Sequence, residues 1–253
     1  MPNEDFAEAV RISTSFLASA ERRCLRWMAA RIPPRINSDH LTGLALVAML
    51  MAGASYWVAR VNRLGLIAAI VWLAVNWFGD SLDGTLARVR GHQRPRYGFY
   101  VDHVVDAFGA LFLLGGLGLS GYMSPVLAMG VLLAYFLLSI DVYLATYCLG
   151  HFRLSFWKFG PTELRLLLSV GTLMLFVHPS AVLWGHSYRL FDVGGIVAIA
   201  CLVFTTIVSA VQNARALFKA EPLPRAAGSR LTAQGSVGDH HSQGDALVLS
   251  PKP

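Results

Sequence analysis

Between Leu41 and Ala59 the chain carries no charged residue, and comparably apolar stretches recur along most of its length. A helix of about 20 residues, rising 1.5 Å per residue, matches a hydrocarbon core of roughly 30 Å. In that medium each backbone donor and acceptor must be satisfied within the segment, so runs of this length span as helices. The pattern predicts six spans: Leu41 to Ala59, Leu64 to about Arg88, Gly98 to Tyr122, Pro125 to Cys148, Thr162 to Trp184, and Asp192 to about Leu217. Hydrophobic residues make up 55% of the chain and charged residues 14%, with a mean hydropathy of +0.52. Such a composition excludes an ordinary soluble domain. The expected fold is an all-α integral membrane protein, multi-pass, with six transmembrane helices.

Charge placement orients these spans. With the N-terminus in the cytoplasm, all 21 Lys and Arg residues except Arg60, Arg63 and Arg189 fall on the cytoplasmic side. The positive-inside rule then predicts cytoplasmic N- and C-termini. Trp27, Trp57, Trp77, Trp157 and Trp184 sit near span ends, as interfacial anchors do. The net charge of +6 is accounted for by topology and attraction to anionic lipid, with no call for nucleic acid.

The flanks differ from this core. Residues 1–36 are expected to form a basic amphipathic helix in the headgroup layer, with Phe6, Val10, Phe16, Leu17, Leu25 and Met28 opposite Arg22, Arg23 and Arg26. Charges interrupt its apolar positions, so no cleavable signal peptide is expected. Pro33 and Pro34 end that helix, and Ser38 or Asp39 is expected to cap the first span. Residues 37–219 form the six-span domain, and 220–253 are expected to be a disordered polar tail. Cys24, Cys148 and Cys201 are scattered and odd in number, which implies no disulfide framework.

The chemistry concentrates where the second span ends and the third begins. Asp80 and Asp83 are three residues apart and Asp102 and Asp106 four apart, so each pair projects from one helix face. Four converging carboxylates repel one another, and in a partly apolar site divalent cations resolve that conflict. Oxygen ligands with no Cys and one adjacent His favour a hard ion such as Mg2+ or Mn2+ over zinc. Gly84 and Ala87 let a ligand approach the helix closely, and Arg88 offers a guanidinium to a phosphate oxygen. The plainer alternatives are two solvated acids at a helix end and helix packing through small residues.

The segment Asp80-x2-Asp83-Gly84-x2-Ala87-Arg88, a spacer, then Gly98-x3-Asp102-x3-Asp106 resembles the signature of the CDP-alcohol phosphotransferase family, integral-membrane enzymes of phospholipid synthesis. Each fixed position is filled. The spacer from Val89 to Tyr97 is nine residues where eight is expected, and Gly91 and Pro95 offer a loop to absorb the extra one. The resemblance implies attack of an acceptor hydroxyl on the phosphorus bearing the alcohol of a CDP-alcohol, with CMP leaving. It implies two ions held by Asp80, Asp83, Asp102 and Asp106, with Asp106 as general base and Gly84, Ala87 and Arg88 holding the cytidine nucleotide. His103 stands where eukaryotic choline and ethanolamine phosphotransferases carry a His, and is a second candidate base or simply a histidine facing a neighbouring helix. The segment Asn37 to Thr42 resembles the start of the family's first span, with Asp39 and Thr42 touching the nucleotide-lipid or capping a helix. A homodimer is also implied.

A second polar group, Asp141, Lys158, Glu163 and Arg165, is expected to serve the acceptor alcohol or the lipid phosphate, because ionisable residues in spans are costly. Asp141 pairing with Arg153 or Arg165 is the structural alternative. The expected function is therefore transfer of a phosphatidyl group from CDP-diacylglycerol to a polar alcohol. Alternatives are a CDP-choline/ethanolamine-type transferase acting on diacylglycerol, a prenyl-diphosphate enzyme, and a transporter or scaffold. Transport would place acids near the bilayer midplane, whereas this cluster falls at the cytoplasmic edge.

Overall fold

Alanine and glycine recur along one helix, and the helices that carry the acidic motif pack against it. The computed structural model describes residues 18–149, 161–183 and 185–221. Its elements are α1 (Ala18–Ala29), α2 (Ser38–Ala59), α3 (Leu64–Val89), α4 (Pro95–Leu119), α5 (Pro125–Leu149), α6 (Pro161–Val177), strands β1 (Ser180–Leu183) and β2 (His186–Arg189), and α7 (Leu190–Ala220). On α2, Ala45, Ala48, Ala52, Gly53 and Ala59 are buried. A β-carbon on Gly53 would overlap the Phe112 carbonyl of α4, and one on Gly116 would overlap the backbone of Gly53. The two helices therefore cross backbone to backbone, the contact that drives helix association where lipid removes the usual hydrophobic gain.

α3 also packs along α2. The Asn76 side-chain amide donates to the Ala45 carbonyl at 2.9 Å, deep in this contact. Farther along α2, the fully buried Tyr56 meets Thr172 of α6 at 2.5 Å. Thr172 spends its own proton on the Leu168 carbonyl at 2.7 Å, so the phenol is the donor. α5 packs mainly on α7, and the Asp192 carboxylate accepts from the Ser124 N–H at 2.6 Å where these two helices begin. α1 lies against α3, burying Leu25 and Ala29 among Leu41, Leu82 and Leu86. Residues 1–17 of the expected amphipathic helix and the tail beyond Glu221 lie outside the described residues.

Two local expectations are corrected. The first span is not capped by Ser38 or Asp39: Asn37 occupies the N-cap, and its N–H donates to His40 Nδ1 at 3.0 Å. Ser38 instead donates to the Asp83 carbonyl at 3.0 Å, which draws the start of α2 onto α3. The apolar run from Thr162 to Trp184 is not one helix. It stops at Val177 because Pro179 disfavours helical backbone at His178. The chain then forms a hairpin, with Ser180 opposite Arg189 and Leu183 opposite His186, turning through Gly185 at φ +81°. Among the described residues five helices, α2, α3, α4, α5 and α7, are long and apolar enough to cross a membrane, whereas α6 has 17 residues.

Replacing Gly53 by Val is expected to force α2 from α4 and destabilise the protein by about 1–3 kcal/mol. Gly43→Ala, where a β-carbon meets nothing within 4 Å, is expected to cause no loss. Thermal unfolding in detergent separates the two.

Candidate functional site

The C-terminal half of α3 and the N-terminal half of α4 bring three acids together. One carboxylate oxygen each from Asp80, Asp102 and Asp106 lies within 4.8 Å of the others, all half-buried. The spacings responsible are local: Asp102 and Asp106 are one helical turn apart on α4, and the α2 contacts hold α3 beside them. Asp83 does not join this group. Its carboxylate accepts the Thr42 hydroxyl at 2.6 Å and the N–H of Gly84, so it is turned toward α2.

Arg165 of α6 reaches the group, its Nη2 lying 2.7 Å from Asp80 Oδ2 with both side chains mostly buried. Three carboxylates this close repel one another, and an all-oxygen donor set of this size suits a hard divalent ion. The residues present therefore fit a metal.

Beside the acids is a cavity of about 280 Å³, lined by Asp39, Thr42, Asp80, Asp83, Gly84, Ala87, Arg88, Gly98, Asp102 and His103 among others. It gathers all five residues expected to hold nucleotide, Asp39, Thr42, Gly84, Ala87 and Arg88. Gly84 and Gly98 are not demanded by packing: a β-carbon on Gly84 would come no nearer than 3.7 Å to the Arg88 guanidinium, and one on Gly98 meets nothing within 4 Å. The missing side chains leave the helix backbone open to the cavity at both positions. Arg88 donates to the Thr85 hydroxyl at 3.3 Å and lines the same space.

The long spacer is absorbed in the turn between the helices. α3 ends in a Schellman motif, with His92 N–H on the Ala87 carbonyl at 3.0 Å, Gly91 N–H on the Arg88 carbonyl at 3.3 Å, and Gly91 at φ +67°. Pro95 then opens α4 at a position where a missing N–H costs nothing. The turn carries Arg94 across the cavity to Asp39, at 2.6 and 2.7 Å from its two oxygens, and over the Tyr97 ring at 4.1 Å. Hydrogen bonding to Asp39 raises the Arg94 pKa further above its already high value. Arg90 ties the same turn to the carbonyls of Ile32, Pro33 and Ile36.

His103 is held in an aromatic box, with Phe99 at 4.0 Å and Tyr143 at 4.7 Å between ring centroids. Its Nδ1 lies 2.6 Å from the Phe99 carbonyl, which can only accept. In the neutral ring Nε2 is then the basic nitrogen.

The second polar group divides. Arg165 joins the acids, Glu163 occupies the first turn of the same helix, and Lys158 lies outside the described residues. Asp141 stands apart: it accepts from Ser209 at 2.5 Å and Asn213 at 3.5 Å, linking α5 to α7. It does not pair with Arg165. The sequence pattern did not reveal the Arg165–Asp80 pair, because nothing in the spacing relates α6 to α3.

A family profile described as CDP-alcohol phosphatidyltransferase matches residues 36–216, well over half of the chain. No curated protein matches the sequence.

From this geometry, Asp102→Asn is expected to weaken Mn2+ binding to the purified protein about tenfold or more, measured by electron paramagnetic resonance. Asp141→Asn is expected to leave that binding unchanged.

Proposed function

This chain belongs to the CDP-alcohol phosphatidyltransferase family, and on that premise we propose that it transfers a phosphatidyl group from CDP-diacylglycerol to the hydroxyl of a polar alcohol, releasing CMP. The observation that carries this is the convergence of Asp80, Asp102 and Asp106 beside a cavity lined by Gly84, Ala87 and Arg88. Asp80, Asp102 and Asp106, with Asp83 after its carboxylate turns from Thr42, would hold two Mg2+ or Mn2+ ions. Bound there, such ions neutralise the diphosphate and stabilise charge on departing CMP.

The chain's own groups supply the rest. Gly84 and Ala87 admit the nucleotide against bare helix, Arg88 binds a diphosphate oxygen, and Asp39 and Thr42 border the same space. The acceptor oxygen forms a bond to the phosphorus bearing diacylglycerol as the bond from that phosphorus to the CMP oxygen breaks. Asp106 takes the hydroxyl proton, raising the nucleophilicity of the oxygen. Arg165 faces this point from α6 and orients an anionic acceptor. His103 is the alternative base, and its place in the cavity lining beside Asp102 is the specific observation that keeps a head-group transfer to diacylglycerol as the second reading.

We place the cavity on the cytoplasmic side, where basic residues concentrate. α6 serves as the sixth crossing. Its 17 residues rise about 25 Å, with Arg165 at the acidic site near one end and Leu175 near the other in the same buried cluster as Phe191 of α7, and the hairpin completes the passage.

CMP release in mixed micelles with Mg2+ is expected from CDP-diacylglycerol with one of a panel of acceptors, and not from CDP-ethanolamine plus diacylglycerol. Asp106→Asn is expected to lower the rate at least about a hundredfold, and a divalent chelator to abolish it. Activity retained in Asp106→Asn and lost in His103→Ala moves the base role to His103. A reporter fused to the C-terminus is expected to be cytoplasmic, and an external tail overturns the six-crossing topology.

A further inference from the structure

Glu21 is a carboxylate on the apolar face of α1. Glu21, Leu25 and Ala29 recur at four-residue intervals, and the last two are buried against α2 and α3. An acid in that stripe is costly unless its oxygens are satisfied, and here a single oxygen takes three donors. Glu21 Oε1 accepts from the Trp77 indole at 2.9 Å, the Ser81 hydroxyl at 3.3 Å and the Thr162 hydroxyl at 2.9 Å. The first two belong to α3 and the third to the first turn of α6. Ser81 directly follows Asp80, and Thr162 lies one turn before Arg165. The Asp80–Arg165 pair is thus bracketed on α3 by Trp77 and Ser81 and preceded on α6 by Thr162, all held by Glu21.

The first turns of α6 have little apolar anchorage of their own: Leu164, Leu166 and Leu167 are more than half exposed. The Tyr56–Thr172 bond holds α6 farther along. The negative charge also sits at the N-terminus of α6, where the helix dipole favours it.

We propose that Glu21 is a positioning residue that clamps the first turn of α6 to α3 and thereby sets where Arg165 stands beside Asp80. The kinetic arm of its test rests on the transferase reading and on Arg165 orienting an anionic acceptor.

The test compares Glu21→Ala, Glu21→Gln and Leu25→Ala in the full chain. Leu25→Ala loosens α1 without removing a Glu21 hydrogen bond. Glu21→Ala is expected to raise the acceptor KM about tenfold, the scale of losing a charge-assisted bond, with the donor KM unchanged. Glu21→Gln, which keeps an acceptor oxygen, is expected to recover most of this, and Leu25→Ala to lower the unfolding midpoint without moving either KM. Thr162→Val removes the α6 arm alone and gives the same KM shift should Glu21→Ala not accumulate as folded protein. Amide exchange over residues 162–169 is expected to quicken in Glu21→Ala and not in Leu25→Ala. Equal kinetics in Glu21→Ala and Leu25→Ala, or faster exchange with an unchanged acceptor KM, overturns the proposal. If the wild-type chain releases no CMP, the transferase reading fails, and exchange alone decides: selective quickening in Glu21→Ala upholds the clamp, and equal exchange overturns it.

Discussion

The bare backbone of α2 is the constraint on which the remaining geometry depends. Gly53 lies against the backbone of α4 at Phe112 and Gly116, and the neighbouring turns bury Ala45, Ala48, Ala52 and Ala59. Because lipid tails are as apolar as the side chains, helices in a bilayer hold together by close packing and by polar groups that find partners. α2 supplies the first along its length and the second at Ala45, whose carbonyl accepts from Asn76. With α3 and α4 both fixed to α2, the acids near the end of one and the start of the other face each other.

The charge arrangement follows from that frame. Three carboxylates converge where one guanidinium, from a helix outside the α2 to α4 unit, is the neighbouring counter-charge at Asp80. The fourth acid of the motif is engaged elsewhere, by Thr42. The motif thus does two jobs at once: Asp83 ties α3 to the start of α2, and Asp80, Asp102 and Asp106 face the space where cation and phosphate chemistry fit. α1 extends the same logic outward, since Glu21 joins α3 to α6 while Arg90 fastens the linker that follows α1.

Much of this was legible from residue pattern. The apolar runs marked α2 to α5 and α7 within a few residues, because helix length in lipid is set by bilayer thickness. Gly91 and Pro95 marked how the spacer would turn, because a positive φ and a missing N–H each suit one place in such a connection. The run from Thr162 to Trp184 misled, since hydropathy does not register that His178 precedes a proline. Asn37 caps α2 where Ser38 or Asp39 is expected, because Asn, Ser and Asp all suit an N-cap and Ser38 is engaged by the Asp83 carbonyl. Asp141 was grouped with Arg165 because both are ionisable residues in apolar surroundings. Their partners, Ser209 and Asp80, lie on helices distant in sequence.

By itself the sequence determined the class of fold, the helices and the order of chemically capable residues, because hydropathy, periodicity and turn chemistry are local properties of a chain. Tertiary structure alone decided which of those residues meet. That Asp83 turns to Thr42 while Asp80 turns to Arg165, and that Glu21 bridges two helices more than 50 residues away, depends on how helices cross. Crossing is set by the shape of small-residue surfaces in contact, which no spacing along one helix encodes.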